Sequence, residues 1–216
     1  RLDARRTLKS LVADLRILKC LLVYAFLPIA GYQFGITLKN IIRFPSEYIF
    51  FGVSTIVFYF LMTRYGGRRL SFIQTFTHEL IHSLFVWASL GNVTEFHLKE
   101  KSGYIMSDRS NIPMTLAPYF FPLYTILLLS IRPGILQSYY PYFDIIGGLS
   151  FAFYLNMIKN QTGLWQTDIK SIDWRLSYPF LISMVFFCCY LVIESLHSSL
   201  WNALVNFGLF IWSLIF

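Results

Sequence analysis

Seven stretches of this chain, at about 17–37, 46–62, 70–90, 113–131, 143–159, 178–195 and 199–216, are almost free of charge. Each approaches the ~20 residues that a bilayer-crossing helix needs. The basic residues fall at the N-terminus and in the gaps between these runs. Such a pattern leaves little choice of solvent. Of the 216 residues 56% are hydrophobic and only 13% charged, about half the usual charged share of a soluble domain. A soluble domain of this size has no means of hiding that much apolar surface, because most of a globular surface must be wetted. The reading is an all-α membrane protein of about six to seven transmembrane helices. Six applies if one run is re-entrant.

The net charge of +7 sits where anionic lipid headgroups account for it, and nothing resembles a nucleic-acid module, so the bilayer is the expected partner and nucleic acid is not. Residues 1–16 set Arg1, Arg5, Arg6, Lys9 and Arg16 against Leu2, Leu8, Leu11, Val12 and Leu15. This reads as an amphipathic helix on the membrane surface. Residues 17–216 form a single polytopic domain behind it. With Lys19 the N-terminal segment carries six positive side chains, which predicts a cytoplasmic N-terminus. The expected location is a bacterial cell membrane. Cys20, Cys188 and Cys189 lie in apolar runs and form neither a C-x-x-C pair nor a disulfide framework, so they read as small buried hydrophobes.

The first run is interrupted by Pro28 and Gly31, and Pro45-Ser46-Glu47 starts the second. Arg64-Tyr65-Gly66-Gly67-Arg68-Arg69 is a basic turn before the third. After Gly91-Asn92 the character changes: 93–99 alternates weakly, Lys101-Ser102-Gly103 offers a turn, and Tyr104-Ile105-Met106 returns. This predicts a small surface β-hairpin over 93–108. Pro118 and Pro122 must free carbonyls and kink the fourth span. Gly147-Gly148 permits close helix packing in the fifth. Residues 160–177 are polar and turn-rich.

The third run contains His78-Glu79-Leu80-Ile81-His82, an H-E-x-x-H pattern in apolar surroundings. On a helix His78 and His82 lie one turn apart on one face, about 6 Å along the axis. That spacing lets two imidazoles converge on one zinc ion, with Glu79 beside them as general base. Two histidines and a glutamate within a membrane span are costly, and persist mainly where they line a site. A di-iron oxygenase would need several His-rich boxes, and only His97 and His197 remain. A metal transporter would need repeated His/Asp sites along a path, which the chain lacks.

Zinc then needs a third protein ligand, with the fourth position left for water. His97, Asp144, Asp168, Asp173 and His197 are the candidates. His97 and His197 read as interfacial, and Asp173 as paired with Arg175. Asp144 suits an N-cap of the fifth span and Asp168 a loop position. On chemistry alone Asp168 and Asp144 stand level.

Thr77-His78-Glu79-Leu80-Ile81-His82, Leu116-Ala117-Pro118-Tyr119-Phe120-Phe121-Pro122-Leu123-Tyr124 and Gln166-Thr167-Asp168-Ile169 together resemble a short branch of the site-2-protease class of intramembrane zinc metalloproteases. The resemblance covers about 72–170 and implies a metalloprotease-like core at about 70–177. It implies zinc as cofactor, peptide-bond hydrolysis within or near the bilayer, and a single-span membrane protein as substrate. In that class the third ligand is an aspartate at the start or end of a later membrane helix, some distance downstream, and on position the resemblance favours Asp168 here. The Asn-Pro-Asp-Gly or Leu-Asp-Gly signature around that aspartate is absent, and Tyr154, with Asn156 nearby, stands where a histidine is expected in the fifth span. Phe96 and Leu98 of the hairpin are expected to receive the unwound substrate by strand addition, and Asn156 to hold its backbone. The other reading is a catalytically inactive protein of the same fold, serving as a scaffold or as a subunit of a larger membrane complex.

Overall fold

The computed structural model describes residues 2–99, 102–163 and 166–215, with side chains for 18–99, 102–163 and 166–214. Among these residues the protein is mostly helical, with one two-stranded sheet. The helices are α1 (Leu2–Arg43), α2 (Pro45–Tyr65), α3 (Arg68–Ala88), α4 (Ile112–Leu116), α5 (Leu123–Ile131), α6 (Tyr140–Gln161), α7 (Thr167–Ser171), α8 (Trp174–His197) and α9 (Leu200–Ile215). Strands β1 (Val93–Leu98) and β2 (Gly103–Ser107) lie between α3 and α4.

Among the described residues three helices are long and apolar enough to cross a membrane: 18–43 of α1, α2 and α8. A fourth is reached if the bent pair around α4 and α5 counts as one span. The six to seven spans expected from the apolar runs exceed this number. Helices α3 and α6 reach 21 and 22 residues, but buried Gln74, His78, Glu79 and His82 on α3, and Asp144 and Asn156 on α6, dilute their apolarity. Helix α9 has 16 residues, short of the usual spanning length. Large apolar side chains such as Leu21, Leu22, Ile56, Phe60, Leu209 and Trp212 face outward on these helices, as lipid contact requires.

The expected interruption at Pro28 and Gly31 is not present, since α1 runs through both. The proline removes one backbone hydrogen bond, which a long helix with good flanks absorbs. No break separates the expected surface segment at 1–16 from the first span; the amphipathic side chains there lie outside the described residues.

Two helix pairs frame the protein, α2 against α6 and α1 against α8. Gly148 sets the first. A Cβ there would stand 2.5 Å from the Phe51 carbonyl oxygen and 3.0 Å from the Thr55 nitrogen. Only a bare backbone fits, and Thr55 Oγ1 donates to the Gly148 carbonyl at 3.3 Å across the crossing.

The hairpin forms where expected. Its register pairs Leu98 with Gly103, His97 with Tyr104, Phe96 with Ile105 and Glu95 with Met106, with an irregularity before Val93–Ser107. Helix α3 is capped by Ser89 and closed by Leu90, whose φ of 57° is the left-handed conformation that follows a helix end. Gly91 N then bonds Val86 O at 2.9 Å. Asp108 ties the hairpin base down by accepting from Asn92 N at 2.7 Å and Asn92 Nδ2 at 3.1 Å.

The segment after the hairpin is broken as the prolines predict. Asn111 caps α4, accepting from Met114 N at 2.8 Å, and Ala117–Tyr119 tightens into a 3-10 turn. The chain bends by 84° before α5. Pro122 supplies no N–H at the bend, so no helical bond is forfeited there. Ile81, Leu116, Phe120, Tyr154, Met157 and Ile169 are buried together, and this core joins α3, the broken segment, α6 and α7.

Candidate metal centre

Helix α3 carries a polar stripe into this core. His78, Glu79 and His82 are all buried, with the histidines one turn apart. Asp168 comes from the first turn of α7, across the loop that leaves α6. His78, His82 and Asp168 form the group that can hold a metal ion among the described residues.

The spacing of the three donor atoms can be tested against a metal. His78 Nε2 and His82 Nε2 are 3.1 Å apart, and Asp168 Oδ2 stands 3.5 Å from the first and 3.4 Å from the second. Tetrahedral ligands at zinc distances are separated from one another by about 3.3 Å. The triangle therefore fits a single small divalent cation with little adjustment.

The outer nitrogens fix which faces point inward. His82 Nδ1 lies 2.8 Å from the Met114 carbonyl oxygen, which can only accept, so Nδ1 carries the proton and Nε2 presents a lone pair. His78 Nδ1 lies 2.9 Å from Gln161 Oε1 in the same arrangement. Tyr119 donates its hydroxyl to Asp168 Oδ2 at 3.0 Å and sets its ring edge-on to His78 at 5.2 Å. Each donor is thus oriented by a second residue, the usual support of a metal ligand. Two imidazole lone pairs and a carboxylate oxygen converge on one point, a set that needs a cation or added protons.

Asp168 titrates unusually. When added protons rather than a cation fill the set, the hydrogen bonds they make from His78 and His82 outweigh the burial that pushes the Asp168 carboxyl up, and hold it well below the usual carboxylate range. The group is ionised at any physiological pH.

Glu79 borders the same cavity, of about 260 Å³, which is also walled by Gly103, Ile105 and Thr115. Among the described residues no group donates a hydrogen bond to its carboxylate. The hairpin presses directly on it at Gly103, the residue nearest the hairpin tip on β2.

The remaining expected residues lie elsewhere. Asp144 is buried and bonded bidentately to Arg132, at 2.8 and 3.1 Å, one helix end away from the histidines. Asn156 is buried in an amide cluster, accepting from Gln74 Nε2 at 2.8 Å and donating to Thr63 Oγ1 at 3.0 Å. Phe96 and Leu98 are on β1, and Phe96 packs edge-on against Phe76 of α3. None of these three borders the donor cavity; β2 does, through Gly103, Tyr104, Ile105 and Ser107. His97 stacks on Tyr104, and His197 pairs with Glu47. Asp173 caps α8, accepting from Arg175 N at 3.1 Å. Met114, Tyr119 and Gln161 were not singled out from the sequence as site residues. A backbone carbonyl leaves no side-chain signal, and a tyrosine or glutamine at a helix end has many uses. Comparison with protein-family models, with curated proteins and with solved structures finds no match.

Proposed function

We propose that the chain is an intramembrane zinc metalloprotease that hydrolyses a peptide bond of a single-span membrane protein. The observation that carries this reading is the triangle of His78 Nε2, His82 Nε2 and Asp168 Oδ2, with edges of 3.1 to 3.5 Å, beside the unpartnered carboxylate of Glu79. His78, His82 and Asp168 would hold the ion. Bound zinc supplies Lewis acidity toward a peptide carbonyl and lowers the pKa of an attacking water.

Glu79 takes the proton of that water and returns it to the leaving amine. Its burial against an open cavity suits a group that must alternate between the two states. Gln161 and Met114 keep the imidazoles aimed, and Tyr119 keeps Asp168 from rotating away. The bend at Phe120–Pro122 leaves irregular backbone beside the site, which at membrane depth is tolerated next to protein or water. Water reaches the site most simply past the exposed polar wall at Ser107, Arg109 and Ser110.

Strand β2 supports substrate binding better than β1. Lys99 N bonds Ser102 O at 2.7 Å and closes the ladder. In an antiparallel pair hydrogen-bonded and non-bonded residues alternate, so the backbone groups of Gly103 and Ile105 point away from β1. These same residues wall the donor cavity. An unwound substrate segment paired along this edge would run past Glu79 and the metal ligands. The full reading is a polytopic protein in which α3, α6 and α9 also cross the bilayer, giving six spans, or seven with the bent pair.

The test is cleavage of single-span reporter proteins by purified protein in lipid nanodiscs. The wild type cuts at least one reporter, and Glu79→Gln loses cleavage by 10²-fold or more with its zinc content unchanged. Equal cleavage by the two would remove Glu79 from the chemistry.

A further inference from the structure

A second cavity, of about 480 Å³, adjoins the metal centre and takes no part in the chemistry described so far. It lies toward the start of α3, beside the basic turn at Arg64 to Arg69. Its walls include Ser71, Gln74 and Thr75 of α3 and Asn156, Asn160 and Gln161 of α6. Lys159 is also at its edge, and among the described residues no carboxylate lines it.

Three observations connect it to the donor cavity. Gln166 lines both. Gln161 lines the second cavity while its Oε1 bonds His78 Nδ1 at 2.9 Å, so one side chain stands in the wall between them. Ser71, Gln74, His78, His82 and Val86 follow one another at helical spacings of three and four, so the two cavities share a single face of α3. From Ser71 to Val86 that face is roughly 22 Å long, the reach of roughly six extended residues.

The chemistry of the two halves differs. Toward Val86 the groove offers the free backbone edge of β2. Toward Ser71 it offers side-chain amides and hydroxyls: Asn160 Nδ2 donates to Asn156 Oδ1 at 3.0 Å and to Gln74 Oε1 at 3.3 Å. Carboxamides with spare N–H groups and lone pairs match the peptide group itself, donor for donor. An apolar flank would strip them of hydration without replacement, at a cost. A polar flank would not, and with Lys159 present and no acid in the walls, acidic residues fit as well.

We propose that the amide-lined cavity is the second half of one substrate cleft, and that it receives a polar, extended segment flanking the scissile bond. The proposal rests on the protease reading and narrows its substrate class. The cut falls where an apolar span gives way to a polar juxtamembrane stretch, not within an uninterrupted apolar helix.

The test is disulfide capture with full-length protein in lipid nanodiscs. Ser71→Cys and Asn160→Cys probe the cavity from two sides, Phe60→Cys probes the exposed lipid-facing surface, and the unsubstituted protein gives the background of its own thiols. The probes are two synthetic single-span peptides with one cysteine in a six-residue flank, one flank of Asn, Gly, Ser and Asp, the other of Leu. Coupling of the polar flank at positions 71 and 160 at least tenfold above the leucine flank, with no such preference at position 60, is expected. Equal coupling of the two flanks, or no coupling at either cavity position, overturns the proposal. Zinc content is read separately: capture by a zinc-free chain would sustain the cleft and remove the protease reading, whereas a zinc-loaded, cleaving chain without capture would remove the cleft alone.

Discussion

Gly103 lies against Glu79 so closely that a Cβ on the glycine would stand 2.6 Å from Glu79 Cγ and 2.9 Å from its Oε1. The hairpin therefore sets how far the carboxylate can swing. Gly103→Ala forces either the strand or Glu79 to move. We expect kcat to fall ten- to a hundredfold with zinc content unchanged, since the three ligands are not touched. A misplacement near 1 Å is enough for such a loss. Assay of cleavage and bound zinc on the same sample checks both halves, and unchanged kcat would show that Glu79 adapts freely.

Asp168 and Asp144 were equal candidates by residue type and have opposite roles here. Asp168→Asn removes an oxygen of the donor triangle, and zinc affinity should drop by two or more orders of magnitude in chelator competition. Asp144→Asn should leave affinity unchanged and lower stability by about 3–5 kcal/mol, because Arg132 is left buried without its partner. Loss of zinc in Asp144→Asn with full retention in Asp168→Asn would reverse the assignment.

Acidification should release the metal through the imidazoles. Asp168 has a folded-state pKa below its unfolded value, so its contribution is in place above the ordinary carboxylate range and is lost only as pH falls through the depressed value. Metal binding needs both imidazole Nε2 atoms free of protons. Zinc retained against a fixed chelator concentration should therefore fall on acidification while Asp168 is still ionised. Zinc retained until the pH has passed below the ordinary carboxylate range would point to the carboxylate as the group that gives way.

Tyr154 stands where the resembled class suggests a histidine, and its hydroxyl donates to the Phe120 carbonyl at 2.8 Å. That bond ties α6 to the bend of the broken segment. Tyr154→Phe leaves a buried carbonyl unmet and should cost about 1–2 kcal/mol of stability without loss of zinc. Thermal denaturation with and without excess zinc separates the two effects, and a large loss of zinc would instead place Tyr154 in the metal's own support.

How much of this was legible in the sequence follows from the range of each signal. His78, Glu79 and His82 needed only the helical period, which is local. The hairpin needed only alternation and a turn, also local, though its strand order relative to the site is tertiary. That is why Phe96 and Leu98 of β1 were expected at the site while Gly103 and Ile105 of β2 line it. Asp168 is brought to the histidines by tertiary packing of α7, which residue type does not encode. Only three spans, or four with the bent pair, stand out by length and composition, because runs such as 70–90 and 143–159 form helices α3 and α6 that turn His78, His82 and Asn156 into the core.

The central claim is the metal centre, and zinc stoichiometry after gentle purification tests it most directly. The account predicts about one zinc per chain for the wild type and for Glu79→Gln, and near zero for His82→Ala. A wild-type protein without zinc, or a His82→Ala variant that keeps it, would contradict the account.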